Sequence, residues 1–226
     1  MPWPDILLID KPEGITSFDV IRRLRKRYSD EFGEKAPKMG HAGTLDPAAS
    51  GLMIIGVGIG TKKLTDYIKL DKAYVAEIIL GYSTTTGDKE GELLEEADVS
   101  DISESEVLRA LQHMTGSLRL PVSAYSAIKK DGKPMYERAR EAAKIGELVS
   151  DVPIRDMTVY ENELLDLIIY DKTKLKVQVR FLVGSGTYIR SLGEELGRRL
   201  GLPASLAALR RTQIGEFDLS QCSFRL

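Results

Sequence analysis

Hydrophobic and polar residues alternate strictly between positions 174 and 183. The apolar positions of this segment are Leu175, Val177, Val179, Phe181 and Val183. Successive side chains of a strand point to opposite faces of a sheet, so this pattern predicts a strand with one buried face. Beyond it, Ile189, Leu192, Leu196 and Leu200 recur at helical spacing. Gly201 and Pro203 are expected to end that helix.

Other apolar runs predict further strands at Ile6–Ile9, Leu52–Val57 and Tyr74–Leu80. Residues 158–170 fit either a pair of strands or one long strand. Capping boxes, in which a Ser or Thr is followed three residues later by an acidic residue, predict two helix starts. These are Thr16 with Asp19 and Ser103 with Glu106, and another helix is expected to begin near Pro134.

The predicted strands and helices do not alternate regularly along the chain. This favours an α+β fold with a mixed sheet over a doubly wound α/β fold. The sequence shows no internal repeat, low-complexity tract or obvious linker, so we expect one domain over residues 1–226. A long excursion without a clear sheet pattern runs from Leu120 to Ser150.

Composition narrows the class of protein. The chain has 226 residues and a formal net charge of -2, with a pI of about 5.9, which argues against a non-specific nucleic-acid binder. A single cysteine, Cys222, excludes a disulfide within the chain and fits a reducing compartment. No apolar run approaches the roughly 20 residues of a membrane helix, and the N-terminus does not resemble a secretory signal. We therefore expect a cytoplasmic protein.

Basic residues are clustered despite the negative net charge. One cluster alone is typical of a solvated face, and three clusters could form a single patch only if the fold brought them together. The first cluster comprises Arg22, Arg23, Arg25, Lys26 and Arg27, the second Lys129, Lys130 and Lys133, and the third Arg198, Arg199, Arg210 and Arg211.

The segment from Gly40 to Pro47 is the first candidate for chemistry. Its glycines permit unusual backbone angles, and Pro47 restricts the conformation of Asp46, so a carboxylate is held on a stiff loop. The same residue types also make ordinary turns.

His41 has no nearby cysteine or second histidine, so no zinc site is expected. Gly56, Gly58 and Gly60 do not fit a phosphate-binding template, because Thr61 stands where the dinucleotide fingerprint needs glycine.

Tyr188 and Arg190 lie where the best strand gives way to a helix. If the chain is still extended there, the two side chains face the same side. An arginine placed near Asp46 would pair with that carboxylate and orient it, which would suit a nucleophile. The alternative is that Tyr188 packs its ring and Arg190 caps a surface. Tyr74 opens a strand, where it either packs in the core or stacks on a flat ligand such as a base.

Several motifs together resemble the TruB-type tRNA pseudouridine synthases. They occur in the family's order and span nearly the whole chain. The resemblance rests on Asp10-Lys11-Pro12-x-Gly14-x-Thr16-Ser17, Gly40-His41-Ala42-Gly43-Thr44-Leu45-Asp46-Pro47-Ala48-Ala49-Ser50-Gly51, Lys72-x-Tyr74, Tyr125-Ser126-Ala127-Ile128-Lys129, Gly186-Thr187-Tyr188-Ile189-Arg190 and Leu209-Arg210-Arg211-Thr212.

The resemblance implies a pseudouridine-synthase-like α+β fold, with a mixed, mostly antiparallel sheet flanked by helices and a thumb-like insertion at 120–150 that clamps RNA. It implies that a uridine in the T-loop of tRNA, at position 55, becomes pseudouridine without metal or organic cofactor. The implied site residues have separate roles: Asp46 as nucleophile, Tyr188 in proton transfer, Arg190 paired with Asp46, Tyr74 stacked on uracil, Leu209 lining the pocket, His41 filling the space of the flipped base, and Lys11 supporting the site.

The chain also departs from the family pattern. Thr85 stands where family members often have aspartate, and the chain stops soon after the last motif, where many members continue into an RNA-binding module. We therefore expect a short form, a monomer, whose RNA contacts are limited largely to the T-arm. Attack by Asp46 at uracil C6, attack at ribose C1′ and a glycal route all stay open. So do two other functions: an RNA-binding or RNA-folding module in which Asp46 only braces a loop, and a hydrolase acting on a small substrate.

Overall fold

A computed structural model describes residues 3–126, 128–222 and 224 of the chain. Ala127, within the motif at 125–129, and Leu226, the last residue, lie outside this described part. The chain divides into two compact units. The first comprises Met1–Val75 with Leu209–Leu226, and the second comprises Ala76–Ala208. Single-domain organisation over residues 1–226 stays a prediction.

The first unit contains strands on both sides of the long insertion that forms the second unit. Strands β4 and β12 contribute residues to both units, because the division falls within each of them. The elements are β1 (Ile6–Lys11), α1 (Ser17–Phe32), β2 (Met39–His41), β3 (Ala49–Val57), a 3₁₀ helix (Gly58–Lys63), α2 (Leu64–Lys69), β4 (Lys72–Leu80), β12 (Ala204–Ile214), β13 (Phe217–Asp218) and a second 3₁₀ helix (Leu219–Gln221).

Strand β3 is the centre of the first unit. β1 pairs with it antiparallel from Ile6↔Gly56 to Lys11↔Gly51, and β2 pairs with it antiparallel as well. β12 pairs with β3 in parallel, with Leu209 opposite Ala49 and Arg211 opposite Gly51. A Cβ at Gly51 would lie 2.2 Å from the carbonyl oxygen of Arg211, so only glycine permits this close approach.

Helix α1 begins at the predicted capping box. The Thr16 side chain accepts the Asp19 N–H, and the Asp19 carboxylate accepts the Thr16 N–H, each at 3.0 Å. The buried face carries Val20, Ile21 and Leu24, and the helix ends at Gly33 in the left-handed conformation. This predicted helix is confirmed.

The glycines after β3 are explained by packing. They enter the 3₁₀ helix Gly58–Lys63, where a Cβ at Gly60 would lie 1.9 Å from the Asp5 carbonyl oxygen. Gly60 therefore allows the chain before β1 to pass directly against this turn.

The second unit contains the predicted alternating strand and its long partner. These elements are β5 (Tyr82–Thr84), β6 (Leu93–Glu96), α3 (Glu104–Gln112), β7 (Gly116–Pro121), β8 (Lys129–Lys130), β9 (Lys133–Pro134), α4 (Met135–Lys144), β10 (Ile154–Asp171), β11 (Lys174–Val183) and α5 (Ile189–Leu200). β11 buries every second side chain, as its sequence predicts. β10 is a single strand of 18 residues, which decides between the two alternatives for that segment.

β10 pairs antiparallel with β11 along most of its length and with β7 near its start. α3 begins at the predicted Ser103–Glu106 capping box. α5 ends at Gly201, as predicted. The excursion after β7 folds into the short β8–β9 hairpin and α4. The chain thus has the predicted α+β fold with a mixed central sheet.

Candidate active site

Asp46 lies on the loop between β2 and β3, which we call the Asp46 loop (residues 42–48). Its backbone is fixed at successive points. The Ala42 N–H donates to Ile54 O at 2.9 Å, and the Ala49 N–H donates to Asp46 O at 3.1 Å. Between them, the Ser17 hydroxyl accepts the Leu45 N–H and donates to Leu45 O, each at 2.8 Å. The half-buried Asp46 side chain is therefore carried on a backbone with little freedom.

Lys11 supports the Asp46 loop from within the protein. It is fully buried, and its Nζ donates to Ile15 O at 2.7 Å, Pro12 O at 3.0 Å and Pro47 O at 3.3 Å. Burial lowers the pKa of Lys11, and the negative charge of Asp46 opposes that shift. All three ammonium protons have carbonyl partners, so Lys11 positions Pro47 and the neighbouring Asp46.

Arg211 is a second buried cation, and sequence analysis gave it no role in the site. It is 1% exposed, and its Nε donates to Leu52 O at 2.7 Å while its Nη2 donates to Gly43 O at 3.2 Å. These bonds tie β12 to both β3 and the Asp46 loop. The only signal in the sequence was the Leu209–Thr212 motif, because backbone carbonyl partners leave no trace in the sequence.

Lys72, at the start of β4, is a third buried cation. Its Nζ donates to Leu70 O at 2.6 Å and to Ile68 O at 2.9 Å. Burial, together with the nearby charge of Arg211, lowers the pKa of Lys72 to about 8. Its Cε lies 3.8 Å from the position that a Cβ on Gly43 would take, so this cation also lies beside the Asp46 loop.

His41 ends β2, immediately before the Asp46 loop. It is half-buried, and its Nδ1 has no hydrogen-bond partner among the described residues. Burial and the charge of Arg211 lower the pKa of His41 below 6.5, so the ring is uncharged at neutral pH. The family resemblance implies that His41 fills the space of the flipped base. An uncharged, flat ring fits this role better than the role of a charged acid.

Tyr74 and Leu209 lie on strands of the same unit. Tyr74 leaves the same face of β4 as Lys72, since the two are separated by one residue, and it is 7% exposed. Leu209 is half-buried and lies opposite Ala49, at the end of the Asp46 loop. The first unit therefore brings Leu209, Lys11 and His41 to this loop.

The other two predicted catalytic residues, Tyr188 and Arg190, belong to the second unit. Tyr188 is the N-cap of α5 and Arg190 is the second residue of that helix. The segment is therefore no longer an extended strand at Arg190, and the premise that both side chains share one strand face is wrong. The helix starts earlier than that premise required, directly after Tyr188. Pairing of Arg190 with Asp46 stays a prediction.

Arg190 has well-defined partners within the second unit. Its Nη2 donates to Tyr125 O at 2.9 Å and its Nη1 donates to Thr86 O at 3.2 Å. Asp88 Oδ2 lies 3.6 Å from Nη1, and both side chains are at least nine-tenths buried. The sequence predicts no role for Asp88, because its proximity to Arg190 depends on tertiary structure.

The loop that contains Asp88 (residues 84–91) is closed by its three threonines. Thr84 donates to Asp88 O and Thr86 to Asp88 Oδ1, each at 2.6 Å. Thr85, the departure from the family pattern, accepts the Glu92 N–H on its hydroxyl at 3.1 Å. The Thr85 side chain therefore accepts a hydrogen bond from a backbone N–H at this position.

Several cations of the second and third basic clusters have partners within the protein. Arg198 and Arg199 bind Glu195, Arg210 binds Asp10, and Arg211 is buried. In the second cluster, Lys130 pairs with Asp151 and Lys133 with Glu141. The expectation of three solvated basic faces is therefore wrong for Arg211, whose position in a parallel strand pair encloses it.

Cys222 packs against the core of the first unit, and burial raises the pKa of its thiol to about 11, so the thiolate is scarce at neutral pH. In residues 3–126, 128–222 and 224, no group of three or more His, Cys, Asp or Glu side chains could hold a metal ion. No helix in this part of the chain is long and apolar enough to cross a membrane.

A family model described as TruB family pseudouridylate synthase (N terminal domain) matches residues 29–189. The chain belongs to this family. It is similar to tRNA pseudouridine synthase B of Corynebacterium glutamicum, at 39% identity over 98% of this chain and 71% of that protein. It is also similar to tRNA pseudouridine synthase B of Leifsonia xyli, at 42% identity over 95% of this chain and 68% of that protein. The chain is therefore an enzyme of the pseudouridine synthase class.

A solved structure bears out the expected fold. The chain superposes on a protein in the crystal structure of a Cbf5-Nop10-Gar1 complex with a TM-score of 0.70 and 26% identity. The match covers 98% of this chain and 52% of that one. The α+β arrangement is thus the pseudouridine-synthase-like fold that the sequence motifs predict.

Proposed function

We propose that the protein converts a uridine in the T-loop of tRNA, at position 55, into pseudouridine. The observation that carries this proposal is the Asp46 loop, in which buried donors fix the backbone on both sides of a half-buried carboxylate. The family membership supplies the reaction class, and the relatives named tRNA pseudouridine synthase B support tRNA as the substrate.

The reaction is an isomerisation with a simple balance. The bond between ribose C1′ and uracil N1 breaks, and a bond between C1′ and C5 forms. The proton on C5 is lost to a base, and N1 gains a proton. No oxidant, reductant or second substrate enters this balance, which leaves positioning, nucleophilic attack and proton transfer to the protein.

Asp46 is proposed as the nucleophile that assists the break of the glycosidic bond. An oriented carboxylate can form a covalent intermediate, which divides one difficult step into two easier ones. The fixed Asp46 loop supports this role, because a nucleophile must be held within a narrow range of geometry. Tyr188 is proposed to transfer protons, and Arg190 to act with it as the third catalytic residue.

A uridine inside a folded RNA loop must leave its stack before Asp46 can reach it, at a cost of a few kcal/mol. The uncharged His41 ring is proposed to occupy the space that the base vacates. Tyr74 is proposed to stack on the uracil, and Leu209 to line its pocket. Stacking on an aromatic side chain contributes roughly 1–3 kcal/mol per base, which offsets part of that cost.

The insertion at 120–150 is proposed to clamp the RNA. It contains the β8–β9 hairpin and α4, and its ion pairs, Lys130 with Asp151 and Lys133 with Glu141, are exposed. Exposed pairs contribute little to stability, so they can be exchanged for phosphate contacts at low cost.

The decisive experiment uses an unmodified tRNA transcript carrying tritium at C5 of its uridines. Wild-type protein should release tritium at one uridine per tRNA, and Asp46→Asn should release none. The control is Asp66→Asn, which removes an exposed carboxylate of the same unit and should keep full activity. Absence of pseudouridine with wild-type protein, or undiminished product with Asp46→Asn, would refute the proposal. Retained RNA binding by inactive Asp46→Asn would separate catalysis from recognition.

A further inference from the structure

Arg25 and Lys26 of the first basic cluster make no salt bridge in the part of the chain that the structure describes. A groove of about 560 Å³ lies beside α1 in the first unit. We call it the α1 groove, and it is lined by Arg25, Lys26, Ser29, Lys35, Ala36, Pro37 and Lys38. Four of these seven residues are cations, each of the four is exposed, and no carboxylate lines the groove.

The lining of the α1 groove carries an excess of positive charge. Within the described part of the chain, Lys26, Lys35 and Lys38 make no salt bridge. The carboxylate of Glu34, next to Lys35, accepts the Tyr28 hydroxyl at 3.0 Å. Because the whole chain has a net charge of -2, this local excess of positive charge is not a reflection of overall composition.

The groove has a rigid frame under its mobile side chains. The Arg25 guanidinium donates to Met39 O at 3.3 Å, which joins α1 to the start of β2. The Lys38 carbonyl accepts the Gly58 N–H at 2.8 Å, which fixes the backbone at the opposite wall. Cations on a fixed frame lose less conformational entropy when they bind than cations on a flexible tail.

The groove is directly connected to the Asp46 loop. Lys38 precedes β2, and β2 ends at His41, where the loop begins. Three strand residues span on the order of 10 Å. Nucleotides of a helical strand advance about 3.4 Å each, so the groove lies a few nucleotides from a uridine bound at Asp46.

We propose that the α1 groove binds phosphate groups of the substrate RNA, a few nucleotides from the reacting uridine. This inference rests on the proposed function, since that function identifies the RNA. Phosphate contacts fix the register of a nucleic acid on a protein without reading its sequence. The groove would therefore help to select which uridine reaches Asp46. Lysine side chains suit the singly charged phosphate groups of an RNA backbone. A groove that binds a peptide helix would instead need an apolar lining.

The test measures binding of unmodified tRNA transcript at several salt concentrations. The variant Lys26→Gln/Lys35→Gln removes two exposed groove cations that make no salt bridge among the described residues, and it leaves Arg25 and Lys38 in place. Each lost phosphate contact lowers the slope of log affinity against log salt by about 0.7 to 0.9. We therefore expect the slope to fall by about 1.5 and the affinity at low salt to fall roughly tenfold.

A charge-matched control is Arg109→Gln/Lys172→Gln, which removes two exposed cations that lie outside the groove and outside the three basic clusters. It should keep the wild-type slope. An unchanged slope in the groove variant, or an equal fall in both variants, would overturn the inference. Pseudouridine is measured with wild-type protein on the same RNA. If pseudouridine forms while the groove variant keeps the wild-type salt dependence, only the groove inference fails. If wild-type protein forms no pseudouridine, the proposed function fails.

Discussion

Arg211 and Gly43 are joined by a hydrogen bond of 3.2 Å from the buried guanidinium to the carbonyl oxygen at the start of the Asp46 loop. The residues are 168 positions apart in the chain. The same guanidinium donates to Leu52 O at 2.7 Å. One side chain therefore holds both the loop that carries the carboxylate and the strand that follows it.

Arg211→Lys should weaken this connection without removing the positive charge. An ammonium cannot reproduce the planar fork that reaches two separate carbonyl oxygens, so one of them loses its partner. We expect the free energy of unfolding to fall by about 1–3 kcal/mol, measured by urea denaturation, and the turnover rate to fall with it. The control is Arg210→Lys, whose partner Asp10 is exposed, and its stability should change by less than about 1 kcal/mol. Equal losses in both variants would contradict the bracing role of Arg211.

Ser17→Ala should loosen the Asp46 loop from the side of α1. The Ser17 hydroxyl is the partner of both the N–H and the carbonyl oxygen of Leu45, and both residues are buried. Its removal leaves a buried donor and a buried acceptor unsatisfied, which costs about 1–3 kcal/mol each. Thermal unfolding and single-turnover kinetics should both report the loss. Ser29→Ala, on an outer position of the same helix, serves as the control, and a Ser17→Ala protein as stable as this control would refute the prediction.

Lys72 should make stability depend on alkaline pH. Its pKa is lowered from 10.5 to about 8 in the folded protein. Between these pH values the unfolded chain binds more protons at this residue than the folded protein does, so the free energy of unfolding rises with pH. Lys72 should add about 2 kcal/mol to the free energy of unfolding as the pH rises from 8 to 9.5. Lys72→Met should lack that increment in urea titrations, whereas Lys62→Met, at an exposed site, should retain it. A Lys72→Met protein with the wild-type pH profile would show the premise to be wrong.

Asp88→Asn should disturb the surroundings of Arg190. Asp88 Oδ2 lies 3.6 Å from the guanidinium, and Oδ1 accepts hydrogen bonds from Thr86 and from the Glu90 N–H. The amide of Asp88→Asn would keep one acceptor oxygen but would remove the negative charge opposite the buried Arg190 cation. Removal of one partner from a buried ion pair costs about 3–5 kcal/mol of stability. We expect a lower midpoint of thermal unfolding and a loss of kcat. Glu90→Gln, exposed in the same loop, should change neither, and wild-type behaviour of Asp88→Asn would contradict this account.

His41 should titrate below 6.5, because burial and the charge of Arg211 oppose its protonation. With only two histidines in the chain, ring resonances can be assigned by comparing wild-type protein with His41→Gln. As pH falls through 6.5, the unfolded chain takes up a proton at this residue before the folded protein does, so His41 makes stability fall with pH. A midpoint for His41 at or above 6.5 would contradict the uncharged ring.

Local signals predicted much of the fold. The capping boxes of α1 and α3 and the alternation of β11 depend on neighbouring residues, and all three were confirmed. β12 was not predicted as a strand, because its parallel pairing with β3 joins residues distant in sequence and its charged pair Arg210–Arg211 resembles a surface segment.

The site was predicted unevenly for a related reason. The prediction for Asp46 rests on one contiguous loop of the sequence, whereas the burial of Lys72 and Arg211 depends on carbonyl oxygens that any residue could supply. The partnership of Asp88 with Arg190 required the folded position of a helix start. A reactive side chain can be recognised from its residue type in the sequence. A contact to a backbone atom cannot, because every residue has a backbone carbonyl.

The discontinuous first unit has a consequence for biosynthesis. Residues 42–48 emerge from the ribosome early, but Arg211 emerges only after the whole of Ala76–Ala208. Contacts between residues so far apart form late, because closing the intervening chain has an entropic cost. A nascent chain therefore holds Asp46 on an unbraced loop until Arg211 has been synthesised. The Asp46 loop gains this brace only after the second unit has been synthesised and β12 pairs with β3.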